Sequence, residues 1–212
     1  MSNLIEKTST VTTTAIFNQK NSERFLLKME WDHRKKSAVI IMTAPSSADD
    51  LIMDQTTMLC RNGAVKNDFG SLAIVNLTSS IFGDNPKTSK QNKEIILQEC
   101  EKVDCILVCF GRGTSYQDEK AAMLNELTPY KKKLYTLVDR KGLPYAHPLS
   151  PLAHDFIIEP LKLDRIHRLP ECANARSGKM DGISVFFSFE KVNGGQKLPE
   201  NCPKRMEIPV SD

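Results

Sequence analysis

No two of the six cysteines stand in a Cys-x-x-Cys pair, which removes the ligand spacing that zinc ribbons and dithiol redox motifs need. Cys100, Cys105 and Cys109 fall in or near an apolar run, so the expectation is reduced, buried thiols in an intracellular protein. No apolar stretch approaches the roughly 18 residues of a membrane span. The Thr-rich segment 1–20 holds no apolar signal core, and a soluble, cytoplasmic protein with no membrane partner is expected. Charge of one sign is also scarce: 29 Lys and Arg face 26 Asp and Glu, a formal net charge of +3. That balance permits a basic face for a polyanion without demanding one. There is no internal repeat and no low-complexity tract, so a repeat architecture is excluded. Glycine is sparse at 10 residues, and Gly111 and Gly113 lack the longer pattern of a phosphate-binding loop.

What is present is a chain of 212 residues, 40% hydrophobic and 26% charged, long enough for one α/β core. Short apolar runs rich in β-branched residues recur at 37–43, 71–77, 104–110 and 133–138. Between the later runs, 87–103 and 116–130 divide into apolar and polar faces as helices do. Continuous apolar strands joined by helices predict an α/β three-layer α/β/α sandwich with a mostly parallel central sheet. An arm at 24–31 and a late strand at 183–189 are placed to extend that sheet antiparallel. The domain reading is a flexible segment 1–20, a single α/β domain over 21–192, and an irregular tail 193–212 rich in Gly and Pro.

In an open α/β sheet, ligands bind beyond the carboxyl ends of the strands. After the first run come Thr43-Ala44-Pro45-Ser46, then Asp49, Asp50 and Asp54. These are either ordinary helix caps or carboxylates held for chemistry. Asn76 closes the second run, either tied to backbone or offered to a ligand. The third run ends at Gly111-Arg112-Gly113. After the fourth comes Leu143-Pro144-Tyr145-Ala146-His147-Pro148-Leu149-Ser150-Pro151-Leu152, whose prolines fix φ and hold His147 in a defined direction. Each feature lies about one strand-helix unit from the next, the pattern of a pocket assembled from several loops on one edge.

Two resemblances follow from these residues. Residues 24–150 resemble an uncharacterised bacterial and archaeal family, a domain of unknown function. Its signature Asn-Pro-Ser-x-Ala-Asp, Asp-x-Thr, Asn-Leu, Gly and Gly-x-Pro-x-His-Pro-Leu reads here as Ala44-Pro45-Ser46-Ser47-Ala48-Asp49, Asp54-Gln55-Thr56, Asn76-Leu77, Gly111 and Gly142-Leu143-Pro144-Tyr145-Ala146-His147-Pro148-Leu149. The same order is similar to the uracil-DNA glycosylase superfamily, which implies a uracil-DNA glycosylase-like fold and a DNA partner. The resemblance makes Ala44-Pro45-Ser46 the loop beside the attacking water, Asn76 the base reader, Gly111 the pocket wall and His147 the partner of the leaving base. Leu149 or Leu152, with Ser150, becomes the apolar wedge, and Arg112, Lys141, Arg165 and Arg168 are candidates for the phosphates. Ala44 departs from both families, which carry Asn or Asp there, so Asp49, Asp50 or Asp54 is left to replace the missing group.

The function implied is excision of a base, by preference a modified one, by N-glycosidic hydrolysis, as in defence against phages whose cytosines are modified; no cofactor and no metal are expected. Two alternatives stand beside it. One is a catalytically inactive binding module of the same fold, which the loss at Ala44 allows. The other is a nucleotide or nucleoside enzyme in which the three aspartates hold Mg²⁺ through waters.

Overall fold

The computed structural model describes residues 4–83 and 88–162. The expected strand at 183–189, the tail 193–212, Arg165 and Arg168 lie outside the described residues. In chain order the elements are β1 (Thr12–Phe17), β2 (Arg24–Glu30), β3 (Lys36–Met42), α1 (Gln55–Lys66), β4 (Phe69–Asn76), α2 (Lys90–Lys102), β5 (Cys105–Val108), α3 (Gln117–Glu126), β6 (Leu134–Val138) and β7 (Ile157–Pro160). Short 3₁₀ turns occupy Thr128–Lys133 and Pro151–Ala153.

The seven strands form one sheet in the order β1-β2-β4-β3-β5-β6-β7. The four apolar runs are its centre, with β4-β3, β3-β5 and β5-β6 all parallel. The sheet as a whole is mixed rather than mostly parallel, because β1-β2, β2-β4 and β6-β7 are antiparallel. The cause is connection length. A parallel pair needs a crossover of a dozen or more residues, usually helical. β1 turns into β2 through a hairpin closed by the Asn18 N–H donating to the Glu23 carbonyl at 3.1 Å, and β7 returns beside β6 through the proline loop without an α-helix.

Strand side chains alternate between faces, and the core divides accordingly. Val39, Ile41, Val75, Ile106 and Val108 pack with Ile96 and Cys100 of α2 and Met123 and Leu124 of α3. Ala38, Ile40, Leu72, Ile74 and Leu107 pack with Cys60 and Ala64 of α1 and with Phe156. Each of the fully buried Ile, Leu and Val side chains contributes about 1.5–3 kcal/mol relative to exposure. Cys60, Cys100, Cys105 and Cys109 are free and buried in these clusters. Burial pushes the Cys100, Cys105 and Cys109 thiols up to about 12, so they stay unreactive at neutral pH.

Helix boundaries follow capping. α2 starts after Ser89, whose hydroxyl accepts from the Asn92 N–H at 3.1 Å, rather than at the expected residue 87. α3 stops at Glu126, and Pro129 lies in the first turn of the 3₁₀ segment that follows. β1 falls inside the segment 1–20 that reads as flexible, and this is a correction. Its Thr-Thr-Thr-Ala-Ile-Phe alternates exposed and half-buried positions, the pattern of an edge strand with little apolar content. Among the described residues no helix is long and apolar enough to cross a membrane.

Gly70, the second residue of β4, lies against the turn that joins β2 to β3. A Cβ added there would lie 1.8 Å from the Asp32 carbonyl oxygen, while the Gly70 carbonyl accepts from the N–H groups of Trp31 at 2.9 Å and Asp32 at 3.0 Å. Gly70→Ala is expected to cost about 2 kcal/mol or more, lowering the urea midpoint at constant m-value. Gly113→Ala, where an added Cβ meets nothing within 4 Å, serves as the control and stays within about 0.5 kcal/mol of the wild type.

Candidate functional site

The parallel strands end on one edge, at Met42, Asn76, Val108 and Val138. Because β2 runs antiparallel to β4, it starts on that same edge, and its first residue is Arg24. The guanidinium is buried, with the residue 2% exposed. Its Nη1 donates to the Ala48 carbonyl at 2.8 Å and the Ser46 hydroxyl at 3.4 Å, and its Nη2 to Asn76 Oδ1 at 3.4 Å. Burial lowers its pKa from the ordinary arginine value, and the nearby Asp54 carboxylate opposes that fall.

Asn76 is 1% exposed. Its backbone carbonyl accepts from Asn92 Nδ2 at 2.9 Å, which joins the start of α2 to the end of β4. Among the described residues its side-chain Nδ2 has no hydrogen-bond partner, and neither does Arg24 Nε. Leaving such a buried donor unpaired costs about 1–3 kcal/mol, so the edge carries hydrogen-bonding capacity that the protein itself does not use.

Asp54 caps α1 by accepting from the Thr57 N–H at 2.7 Å. Partial burial pushes its carboxyl up, but hydrogen bonds from Thr57 and Ser46 and the charge of Arg24 more than offset this, leaving it below the ordinary carboxylate range. It is therefore an anion at neutral pH. His147 is half-buried. Its Nδ1 accepts from the Leu149 N–H at 3.2 Å, so the neutral ring carries its proton on Nε2 and offers it as a donor. Burial lowers the His147 value and the Asp54 carboxylate opposes the shift. Asp54 thus acts on both Arg24 and His147.

The loop that carries His147 is over-determined. Asp139, the first residue after β6, accepts from the N–H groups of Lys141 at 2.8 Å and Leu143 at 3.0 Å. Its other oxygen pairs with Arg112 Nη2 at 2.6 Å. Tyr145 sits at φ 59°, a left-handed conformation costly for a bulky side chain. It is held there by its N–H donating to Thr136 Oγ1 at 2.8 Å and by stacking on Phe110 at 6.4 Å between centroids. The Ser150 N–H then closes a turn onto the His147 carbonyl at 2.9 Å, with Pro148 in the position where its fixed φ fits. Gly111, at φ 72°, lies against this loop, since a Cβ added there would be 3.5 Å from His147 Cβ.

The edge therefore gathers Ser46, Asp54, Asn76, Gly111 and His147, together with Ala44, exposed, and Pro45, buried, at the mouth of the loop after β3. Leu149 and Leu152 stand 42% and 38% exposed beyond His147, and Lys141 is exposed while Ser150 is half-buried. The other two aspartates have different roles. Asp49 spends its carboxylate on the N–H groups of Leu51 at 2.8 Å and Ile52 at 2.6 Å, shaping the turn before α1, and Asp50 is exposed. Among the described residues no group of three or more His, Cys, Asp or Glu side chains that could hold a metal ion is found. Arg112, expected at phosphates, has one face of its guanidinium committed to Asp139.

Sequence reasoning passed over Arg24 and Asp139. Arg24 opens an apolar run and reads as a solvated strand end. Asp139 had a signal, as the first polar residue after an apolar strand on the binding edge. Two surface depressions lie elsewhere, one of about 240 Å³ between β2 and the start of β5 and one of about 290 Å³ beside α1; neither includes a residue of this edge.

A family model for a protein of unknown function, DUF1643, matches residues 24–149. The chain belongs to this family. The match begins at Arg24 and ends at Leu149, so its span takes in both ends of the constellation. No curated protein and no solved structure matches the chain.

Two outcomes follow from the Asp54–His147 arrangement. His147 has a folded value below its unfolded one, about 6.5. Just below that pH the unfolded chain binds more protons, so acid lowers the unfolding free energy there until the folded value is passed. Asp54, also depressed, adds stability above its unfolded value that is lost at lower pH. Denaturation curves across pH 7 to 5 are expected to show the first loss in the wild type and a flatter profile in His147→Gln. Asp54→Asn keeps an N-cap but removes the anion, and an NMR titration should find the His147 ring still more acidic. Asp54→Ala should cost about 1 kcal/mol through the lost cap.

Proposed function

We propose that this chain is a DNA glycosylase-like enzyme that flips a base out of DNA and hydrolyses its N-glycosidic bond. The observation that carries the reading is the meeting, on one strand edge, of an anionic carboxylate, a neutral imidazole with its proton on Nε2, and a buried amide with an unpaired Nδ2. Cleavage develops positive charge on the sugar and negative charge on the departing base. Asp54 supplies the anion for the sugar and a seat for the attacking water, in the role that Ala44 cannot fill. Asp49 is occupied by its turn and Asp50 is solvated, so Asp54 is the carboxylate this reading selects. Asn76 donates to the edge of the flipped base, and His147 Nε2–H donates to the base oxygen as the C1′–N bond breaks. The water oxygen bonds to C1′ and its proton passes to Asp54, while the base departs as an anion held by the His147 Nε2–H and takes its proton from solvent afterwards.

The exposed Leu149 and Leu152 fit the wedge that fills the vacated stack, offsetting part of the few kcal/mol that flipping costs. Lys141 is free to meet phosphate. A core divided between α1 on one face and α2 with α3 on the other supports a three-layer sandwich of the uracil-DNA glycosylase type. The chain order of Pro45, Asn76, Gly111 and His147 supports the same assignment. Because Ala44 departs from the uracil-excising pattern, the reading takes a modified base as substrate, such as one met in phage DNA by a defence enzyme.

The test incubates the protein with DNA containing uracil, unmodified DNA and DNA with 5-hydroxymethylated bases, and scores alkali-labile abasic sites. Abasic product on one of them is expected, falling about 100- to 10,000-fold in His147→Ala. Base-dependent binding with no abasic product on any substrate would instead favour a non-catalytic reader of the same fold, the reading that the loss at Ala44 allows.

A further inference from the structure

The two ends of the sheet are not alike. β7 closes one end with four residues that include Glu159 and Pro160, and a short strand, a charge and a proline all keep an exposed edge from pairing with another chain. β1 at the other end has no charge and no proline in its six residues, Thr-Thr-Thr-Ala-Ile-Phe. Its register against β2 shifts only at the last step, from Ile16 to Phe17. Among the described residues nothing pairs with its outer side. The direction of its backbone groups follows from β2. The Trp31 N–H donates toward β4, to the Gly70 carbonyl at 2.9 Å. Backbone groups alternate in direction along a strand, so Glu30, Lys28 and Leu26 turn theirs toward β1, where they meet Thr12, Thr14 and Ile16. Val11, Thr13 and Ala15 therefore aim their N–H and C=O groups outward. Val11 and Ala15 are half-buried against the core on the α1 side of the sheet. On the other face Thr12, Thr14 and Ile16 are exposed, Ile16 at 41%.

We infer that β1 pairs with β1 of a second copy of this chain, antiparallel about a two-fold axis at Thr14. A two-fold contact uses the same patch on both copies and must be self-complementary. This strand meets that demand. Thr14 faces its own counterpart, Thr13 faces Ala15, Thr12 covers the exposed Ile16, and Val11 faces Phe17. Thr–Thr and aromatic-to-β-branched pairs are among those that stabilise cross-strand neighbours, and an uncharged strand sets no like charges opposite each other. The antiparallel arrangement sends the carboxyl edges of the two copies in opposite directions. Both candidate sites stay open, so the inference stands apart from the base-excision reading.

Sedimentation velocity of the full chain, over a series reaching about 0.1 mM, detects a dimer of micromolar affinity. The wild type should approach twice the 23.8 kDa of one chain, and a monomer throughout the series overturns the inference. In Thr14→Lys two ammonium groups face each other across the axis, and the dimer should weaken about fivefold or more. Thr14→Cys brings two thiols together at a pair whose Cα atoms lie about 4.5 Å apart, within the reach of a disulfide. Mild oxidation should then give a covalent dimer that the wild type does not form. In Ile16→Cys the two thiols lie several residues apart along the ladder and should stay unlinked. A dimer indifferent to Thr14→Lys overturns the pairing, as does one in which Ile16→Cys links as readily as Thr14→Cys. The Thr14 side chain is exposed, so both of its variants are expected to keep the fold. Should Thr14→Lys fail to do so by circular dichroism, the two cysteine variants decide alone.

Discussion

A guanidinium buried at the end of a sheet must be ringed by acceptors, and Arg24 recruits them from separate stretches of chain. The Ala48 carbonyl and Ser46 hydroxyl come from the loop after β3, Asn76 Oδ1 comes from the end of β4, and the Asp54 carboxylate supplies the compensating charge from the head of α1. Removing one partner would strand a buried cation, which costs several kcal/mol. The loop after β3 is therefore held to the sheet edge by polar contacts as well as by Ala48 in the core. The antiparallel insertion of β2 is what makes this possible, because a parallel β2 would have brought its first residue to the opposite edge.

The second support is the loop from Asp139 to Ala153. Three devices converge on it: a fully buried aspartate that collects two backbone N–H groups and a guanidinium, a left-handed Tyr145 clamped by Thr136 and Phe110, and prolines that remove backbone freedom. Each alone would allow the imidazole several positions. Together they place His147 against Gly111 with one ring nitrogen already spent on the Leu149 N–H. Backbone strain of this kind persists only where the surroundings over-determine it, and here it sits two residues before His147, at the carboxyl edge of the parallel strands.

The central sheet was legible in the sequence because its four parallel strands are buried on both faces and read as unbroken apolar runs. β1 was not, since an edge strand of threonines needs only half its side chains to be apolar. β7 was not, since Ile-Ile-Glu-Pro is too short to carry a period. At the site, His147, Asn76 and Gly111 could be found because each follows an apolar run by a fixed logic. The choice among the aspartates could not, because it depends on hydrogen bonds of opposite reach. Asp49 turns inward to its own loop within three residues, whereas Asp54 caps a helix and feels a guanidinium from a strand thirty positions earlier in the chain. Arg24 was illegible for the same reason, as its partners lie 22, 24 and 52 residues away.

The charge balance of the edge bears on what it can recognise. Arg24 and Asp54 cancel, and His147, whose value burial lowers, is neutral near pH 7. A site with no net charge gains nothing from capturing a free phosphate, whose burial there would be opposed by the Asp54 anion. On the proposed base-excision reading it takes a neutral heterocycle recognised by hydrogen bonds, with the phosphates of the strand left outside. Attraction to a polyanion must then come from exposed cations such as Lys141 around the rim, which a formal excess of only +3 over the whole chain makes modest. On the proposed reading, selectivity does not rest on long-range steering and falls to the few oriented donors within, Nδ2 of Asn76 and Nε2 of His147.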